Sequence, residues 1–375
     1  MLISQDAAKA SAGMLILLFV AGLLVGGLLL FYVNYRQVSD LSTQVGDLQT
    51  KVSILQDTQN ITYQSITVLQ NGTSLVDLYA NLKDSVVLIQ GETDSGGVQG
   101  SGFVYSYGGR DVVVTNYHVV EGTTSLSVTF SDGKGYSAEI VGTDPYADLA
   151  VVSVEGEHAF NPVSIVGSST LKVGEPVIAI GNPYGLVGSL TTGVVSATGR
   201  SITENTAGGY AIANVIQTST PINPGNSGGL LLNSVGGVVG ITTAIVSDSQ
   251  GLGFAIPSNT ILRELPALVK TGTYTGHSYL GVTGNDMSYY LAQDIQSSYT
   301  YGWRIASVAR NGPCDGKLTV DDIIIGMNGQ TIRNNDDLAS FLEEHTLPGD
   351  TLYLSVVRGG QVLDVPVTLG TRPPL

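Results

Sequence analysis

A single cysteine, Cys314, stands in a chain of 375 residues, so no intramolecular disulfide can staple the fold and the redox compartment stays open on this criterion. Charge is scarce as well. Charged residues make up 13 % of the chain, about half the usual share of roughly 25 %. Basic residues are the scarcer sign: 16 Lys and Arg stand against 31 Asp and Glu, a net charge of −15. There is no Lys/Arg run and no basic stripe, which argues against nucleic acid or an anionic membrane surface as a partner. The histidines, at 118, 158, 277 and 345, are scattered and none belongs to a Cys/His cluster. No metal site and no cofactor are therefore expected. What fills the composition instead is Gly (48 residues), Tyr (18), Ser and Thr, the make-up of a β-rich protein with a polar, weakly charged surface.

One long apolar run is present. Residues 13–33, "GMLILLFVAGLLVGGLLLFYV", carry no charge and are long enough to span about 30 Å of hydrocarbon as a helix. The run exceeds an ordinary signal-peptide core and has no small-residue cleavage site after it, so a retained single-pass anchor behind a tail at 1–12 is expected. The sequons at Asn60 and Asn71 lean towards an extracytoplasmic C-terminal part. From Val38 a heptad begins, with Val38, Val45 and Val52 alternating with Leu41, Leu48 and Leu55. A coiled-coil stalk over 37–70 is the reading, and Val/Leu cores taken alone favour two strands.

Between 76 and 260 the chain consists of short apolar or alternating runs parted by glycine turns, among them "VVLIQG", "DVVVTN", "LAVVSV", "PVIAIG" and "GVVGITTAIV". That pattern predicts a mostly β domain, about a dozen strands in two small packed barrels. Helical periodicity is nearly absent until "NTILRELPALVK" at 259–270.

Three stretches in this region carry chemistry. "VVVTNYHVV" sets His118 just past a buried run, and "DPYADLAVVSV" sets Asp148 at the mouth of the next strand. "INPGNSGGLLL" sets Ser227 in a glycine turn ahead of an apolar strand. Each has a plain structural alternative: a packed histidine, a strand-entry cap and a turn serine. Together they offer what acyl transfer needs. A serine hydroxyl requires a base within hydrogen-bond reach, neutral imidazole is such a base, and a carboxylate fixes its tautomer. Gly225 and Gly228 leave the backbone N–H groups able to converge on one point.

The motifs "TNYHVV", "DPYADLAVV", "INPGNSGGLLL" and "GLGFAIPSN", in that order, resemble the HtrA (DegP/DegS-like) branch of the chymotrypsin-fold serine proteases from about residue 76 to the C-terminus. The resemblance implies a trypsin-like protease domain at 76–265 with His118 as general base, Asp148 as its orienting partner and Ser227 as nucleophile. It implies an oxyanion hole from the backbone of Gly225, Asn226 and Ser227. An S1 pocket would be lined by Ile222 and by Thr242, Thr243, Ala244 and Ile245, aliphatic or small side chains suited to Val, Ala, Ile or Thr. Leu230 departs from the pattern, since many members have Pro or Ala there, and the polar segment 201–220 matches the activation loops of the family only loosely.

After a linker at 266–277 a new β pattern starts at "YLGVTG", with one amphipathic helix whose Leu338, Phe341 and Leu342 share a face. Residues 278–371 resemble a PDZ domain, most clearly at "KLTVDDIIIGMNGQTI", although "VARNGPCDGKL" departs from the usual motif. Tyr279, Leu280, Gly281 and Val282 would then hold the C-terminus of a peptide through their backbone. The family further implies a trimer rather than the dimer favoured by the heptads, and unfolded polypeptides as substrates. A latent chaperone or peptide-binding protein using the PDZ groove is the competing expectation.

Overall fold

The computed structural model describes residues 74–156, 160–182, 188–203, 211–243 and 252–374, with a few helical positions before residue 46 (Leu17, Phe19, Tyr35 to Gln37, Leu41, Gln44 and Val45). The expected span at 13–33 and stalk at 37–70 otherwise lie outside the described residues. Among the described residues no helix is long and apolar enough to cross a membrane. The chain divides into a unit at Met1–Val68 and a compact unit at Leu69–Leu375, and the elements below belong to the latter.

A short helix α1 (Leu75–Leu82), capped by the Ser74 hydroxyl on Asp77 N at 3.1 Å, leads into the first barrel. Its strands are β1 (Val86–Thr93), β2 (Gly96–Tyr107), β3 (Arg110–Thr115), β4 (Thr123–Thr129), β5 (Gly135–Asp144) and β6 (Leu149–Val154), closed in the order β1-β2-β3-β6-β5-β4. The second barrel holds β7 (Pro176–Gly181), β8 (Ser189–Thr203), β9 (Ala211–Thr218), β10 (Leu230–Asn233), β11 (Val238–Thr243) and β12 (Gly253–Pro257), closed in the order β10-β11-β12-β9-β8-β7. Closure removes every open sheet edge from both.

Strand periodicity explains why several runs are apolar throughout. Val87, Ile89, Val113 and Val152 fill the first barrel, and Val177, Leu231 and Val239 the second. The alternate residues Val114, Val151, Leu230, Leu232 and Ile241 face a separate, larger core that also takes up Ile261, Leu265 and Leu268 of helix α3. Both faces of these strands are therefore buried, so "LLL" needs no polar residue at its centre. Two helices complete this part, the single turn α2 (Tyr117–Val120) and α3 (Ser258–Thr271), the latter ended by Gly272 at φ 79°. The expected boundary at 265 falls inside α3, which runs on to Thr271 and takes in the first part of the 266–277 segment expected as linker.

The C-terminal part is a sheet of β14 (Val282–Asp286), β15 (Trp303–Val308), β16 (Ile323–Met327), β18 (Thr351–Arg358) and β19 (Gln361–Thr368) in that order, with β17 (Gln330–Thr331) beside β16. A two-stranded ribbon pairs β13 (Ser278–Tyr279) with β20 (Gly370–Thr371). Helix α4 (Tyr289–Asp294) precedes β15, and α5 (Asn335–His345) packs Leu338, Phe341 and Leu342 onto a core with Trp303, Ile305 and Leu354. These are the three apolar positions that share a face in the sequence. Cys314 is fully buried in the same core, and burial pushes its thiol up to about 12, so it packs and does not react.

Helix α5 also joins this part to the barrels. Asp336 accepts from Ser201 N at 2.8 Å, Ser340 Oγ donates to Gly199 O at 3.1 Å, and Asn214 Nδ2 donates to Glu344 Oε1 at 2.7 Å. Beside them His277 of the linker is buried between two carboxylates, with Nε2 2.6 Å from Asp144 Oδ2 and Nδ1 3.2 Å from Glu343 Oε2. Burial would lower the imidazole pKa, but the hydrogen bonds to Asp144 and Glu343 prevail and push it up to about 10 from 6.5. Burial would likewise raise Glu343, yet the His277 hydrogen bond holds it near 2, below the ordinary 4.5. A raised imidazole contributes stability that is complete below pH 6.5 and fades as the pH climbs through 10. A depressed carboxylate contributes stability that is complete above pH 4.5 and fades as the pH falls through 2. The contribution of these two groups is greatest between pH 4.5 and 6.5. In thermal melts, the Tm gap between wild type and His277→Gln should be widest in that interval and close as the pH approaches 10.

Candidate active site

His118 sits in α2, the turn of helix that β3 enters directly. Its Nδ1 lies 3.0 Å from both Asp148 Oδ1 and Oδ2, and its backbone N–H donates to Oδ1 at 3.0 Å. With Nδ1 turned to the carboxylate, Nε2 is the ring nitrogen that can take up a proton. Asp148 is fully buried and adopts φ 52°, in the left-handed region that a side chain enters at a cost of about 1–2 kcal/mol. The surroundings supply that conformation. Asn116 Nδ2 donates to the Asp148 carbonyl at 2.9 Å, and Thr243 Oγ1 donates to Oδ2 at 3.2 Å. Thr243 comes from β11, so the carboxylate collects donors from both barrels.

Ser227 is buried at the end of the turn that feeds β10. Its carbonyl accepts from Ser101 N at 2.7 Å, which ties the turn to the first barrel. Gly225 and Gly228 have φ of 96° and 85°. At Gly228 a Cβ would lie 1.9 Å from the Ser101 carbonyl oxygen and 2.5 Å from Thr115 Oγ1, so only glycine fits. The Asn226 N–H turns inward to Asn223 O at 2.9 Å. That removes Asn226 from the expected oxyanion hole: an amide already bonded within the turn cannot also point at a reacting oxygen. Gly225 and Ser227 remain as the donors such a hole could use.

Two residues of the expected S1 lining also have a place in the framework. Thr242 and Thr243 are fully buried, and their hydroxyls are spent on the framework, Thr242 Oγ1 on Asn226 O at 2.6 Å and Thr243 Oγ1 on Asp148. Both hydroxyls brace the site. The resemblance marked them as pocket-lining residues, and nothing in the sequence marked their hydroxyls as braces. Ile222 is half-buried against the second-barrel core, while Ala244 and Ile245 lie outside the described residues. In the C-terminal part, Tyr279 belongs to β13 and the Leu280 side chain is buried in the core. Gly281 turns at φ 74°, and Val282 opens β14, the strand that ends the sheet. Recognition by this loop would have to run through its backbone.

Among the described residues one trio, Asp144, Glu264 and His277, brings potential metal-ligand atoms within 4.8 Å of one another. Both ring nitrogens of His277 are engaged by carboxylates, and the Arg263 guanidinium bonds Glu264 Oε1 at 2.6 Å. The positive charge a metal would bring is already supplied by protein groups.

Two closed six-stranded barrels, with an imidazole–carboxylate pair on one and a glycine-flanked serine on the other, define a trypsin-like peptidase fold. The family description for trypsin-like peptidase domains matches residues 100–241, and that for PDZ domains matches residues 278–369. A probable periplasmic serine endoprotease, DegP-like, of Chlamydia pneumoniae is 41 % identical over 282 residues, 74 % of this chain and 56 % of the relative. The chloroplastic Protease Do-like 1 of Arabidopsis thaliana is 35 % identical over 328 residues, 82 % of this chain and 72 % of the relative. Among solved structures, the HtrA-type protease AlgW with a tripeptide superimposes with a TM-score of 0.66 at 30 % identity, covering 81 % of this chain and 99 % of that one. This chain belongs to the HtrA family of serine proteases with a C-terminal PDZ domain. It spans little more than half the length of the chlamydial relatives.

Gly228→Ala should break the turn, because backbone and a buried hydroxyl would have to move. We expect a loss of more than about 4 kcal/mol, read as failure to reach a cooperative unfolding transition in a denaturant titration.

Proposed function

We propose that this chain is a serine endopeptidase in which Ser227, His118 and Asp148 act as a triad. The Ser227 hydroxyl attacks the scissile carbonyl while its proton passes to His118 Nε2. The resulting imidazolium, steadied by Asp148, returns the proton to the leaving amine, and water then releases the acyl group by the same route. The N–H groups of Gly225 and Ser227 receive the developing oxyanion, and one such donor is typically worth about 3–4 kcal/mol. The observation that carries this reading is the His118 Nδ1–Asp148 contact at 3.0 Å, with Asp148 held by Thr243 of the other barrel.

The wider reading follows from the family and the sequence. Substrates are unfolded or misfolded polypeptides, cleaved after small aliphatic residues because Ile222 stands near the turn and the sequence offers no aspartate to receive Lys or Arg. The PDZ domain takes peptide C-termini along the open edge of β14 and regulates turnover. The run at 13–33 anchors the chain, the stalk at 37–70 helps gather it into a trimer, and the peptidase faces the extracytoplasmic side. The chlamydial relatives are described as periplasmic, in keeping with that side.

The deciding experiment is casein cleavage by the full chain beside its Ser227→Ala variant, with and without hydrophobic C-terminal peptides. Cleavage by the wild type alone, raised by peptide, is expected. Suppression of client aggregation by both proteins with no cleavage by either would favour a peptide-binding chaperone instead. A peptide-library profile should show Val, Ala, Ile or Thr at P1, and a profile dominated by Arg or Phe would refute the pocket assignment.

A further inference from the structure

Behind the candidate active site lies a second cluster of ionisable groups that peptide hydrolysis does not use. It begins at Asp144, the last residue of β5, which pairs with Leu149 at the start of β6. Between them runs the tight turn that delivers Asp148. Asp148 N lies 3.4 Å from Pro145 O, and Asp144 Oδ1 accepts from Tyr146 N at 2.9 Å. The Asp144 carboxylate thus braces the turn from inside with one oxygen. Its other oxygen leaves the turn and meets His277 Nε2 at 2.6 Å.

His277 is itself firmly held. Glu343 of α5 engages Nδ1, the rings of Tyr146 and Tyr274 stand edge-to-face at 5.3 and 5.0 Å, and the His277 carbonyl accepts from Arg372 N at 3.0 Å. Arg263 bonds both Glu264 and Glu343, and Glu264 Oε2 has no hydrogen-bond partner among the described residues. Burial, then Asp144 and Glu343, push Glu264 well above the ordinary carboxylate range. Asp144 and Glu343 thus face His277 and Arg263, and Arg372 adds a further positive charge that acts on Glu343. Short, charge-assisted contacts of this kind are stiff. Two further contacts meet the same turn at Tyr146: the ring of His277 at 5.3 Å and the Arg372 guanidinium at 4.9 Å.

We propose that His277 is a positioning residue for peptide hydrolysis: by gripping Asp144 from the linker it fixes the turn that presents Asp148 to His118. This rests on the triad reading above. His277 acts on the triad through this turn, by way of the Asp144 carboxylate and its edge-to-face contact with Tyr146. Placement of a triad member within a fraction of an ångström matters, since a misplacement of about 1 Å can cost on the order of 100-fold in rate.

The test measures kcat and KM on a peptide substrate across a pH series, using the full chain as wild type, His277→Ala, His277→Arg, Asp144→Asn and the His277→Ala/Asp144→Asn double variant. Ser227→Ala serves as the blank, and every rate is normalised to fluorophosphonate-titrated active sites. His277→Ala should lose at least about tenfold in kcat with KM unchanged. Its acid limb should move to lower pH, because a displaced Asp148 supports the His118 imidazolium less well. Arginine keeps charge and donors, and the cavity of about 630 Å³ beside His277 leaves room for it, so His277→Arg should recover most of kcat. Asp144→Asn should match His277→Ala, and the double variant should be no worse than either single one. A His277→Ala enzyme with wild-type kcat and an unmoved acid limb overturns the proposal, even if its Tm is lower. Should His277→Ala fail to fold, an impaired Asp144→Asn beside an active His277→Arg upholds it, and an Asp144→Asn with wild-type kcat and acid limb overturns it. A wild type without Ser227-dependent hydrolysis overturns the triad reading itself, and the proposal falls with it.

Discussion

The buried carboxylate of Asp148 is the contact on which the candidate site depends. It is a charge with no access to solvent, and such a charge is tolerated only when donors surround it. Those donors come from separate parts of the chain: the backbone and ring of His118 on α2, and the hydroxyl of Thr243 on β11. Removing either barrel would leave the carboxylate short of donors. The site is therefore a property of the pair of barrels, and each barrel alone holds only a fragment of it.

The same logic governs the serine turn. Ser101 receives the Ser227 carbonyl on its N–H, gives its hydroxyl to Gly225 O, and accepts Asn182 N on that hydroxyl. Thr115 in turn donates to Ser101 O at 2.7 Å. Small polar residues at strand ends thus stitch the turn to both barrels, and Gly228 is the point where backbones come too close for any side chain. Packing supplies the frame, with Leu230 and Leu232 anchoring the strand that follows.

Much of this was legible in the sequence, for identifiable reasons. Alternating and continuous apolar runs predicted two small barrels because strands buried on both faces must be apolar at every position. The amphipathic spacing of Leu338, Phe341 and Leu342 marked α5. His118 and Asp148 stood out because each follows or precedes a buried run, and the contact between them is there. What could not be read were roles fixed by distance. Thr242 and Thr243 look like ordinary strand residues, and only the fold shows that their hydroxyls brace the site. Asn226 looked like an oxyanion donor until the turn bent its N–H onto Asn223. The partnership of Asp144 and His277, 133 residues apart, had no local signal at all. Apart from a few positions, the apolar run at 13–33 and the heptads lie outside the described residues.

The edge of β14 has a consequence for the life of the protein before it meets a ligand. Among the described residues no strand lies on the outer side of β14, and such an edge is a template for any passing extended chain, including a partly folded copy of itself. Here the edge is only five residues long, is interrupted by Gly284, where a Cβ would meet the Arg304 carbonyl oxygen at 2.2 Å, and finishes at the charged Asp286. Shortness, a side-chain gap and a terminal charge all work against runaway strand pairing. Such an edge suits brief visits by a chain end better than lasting union with a second sheet.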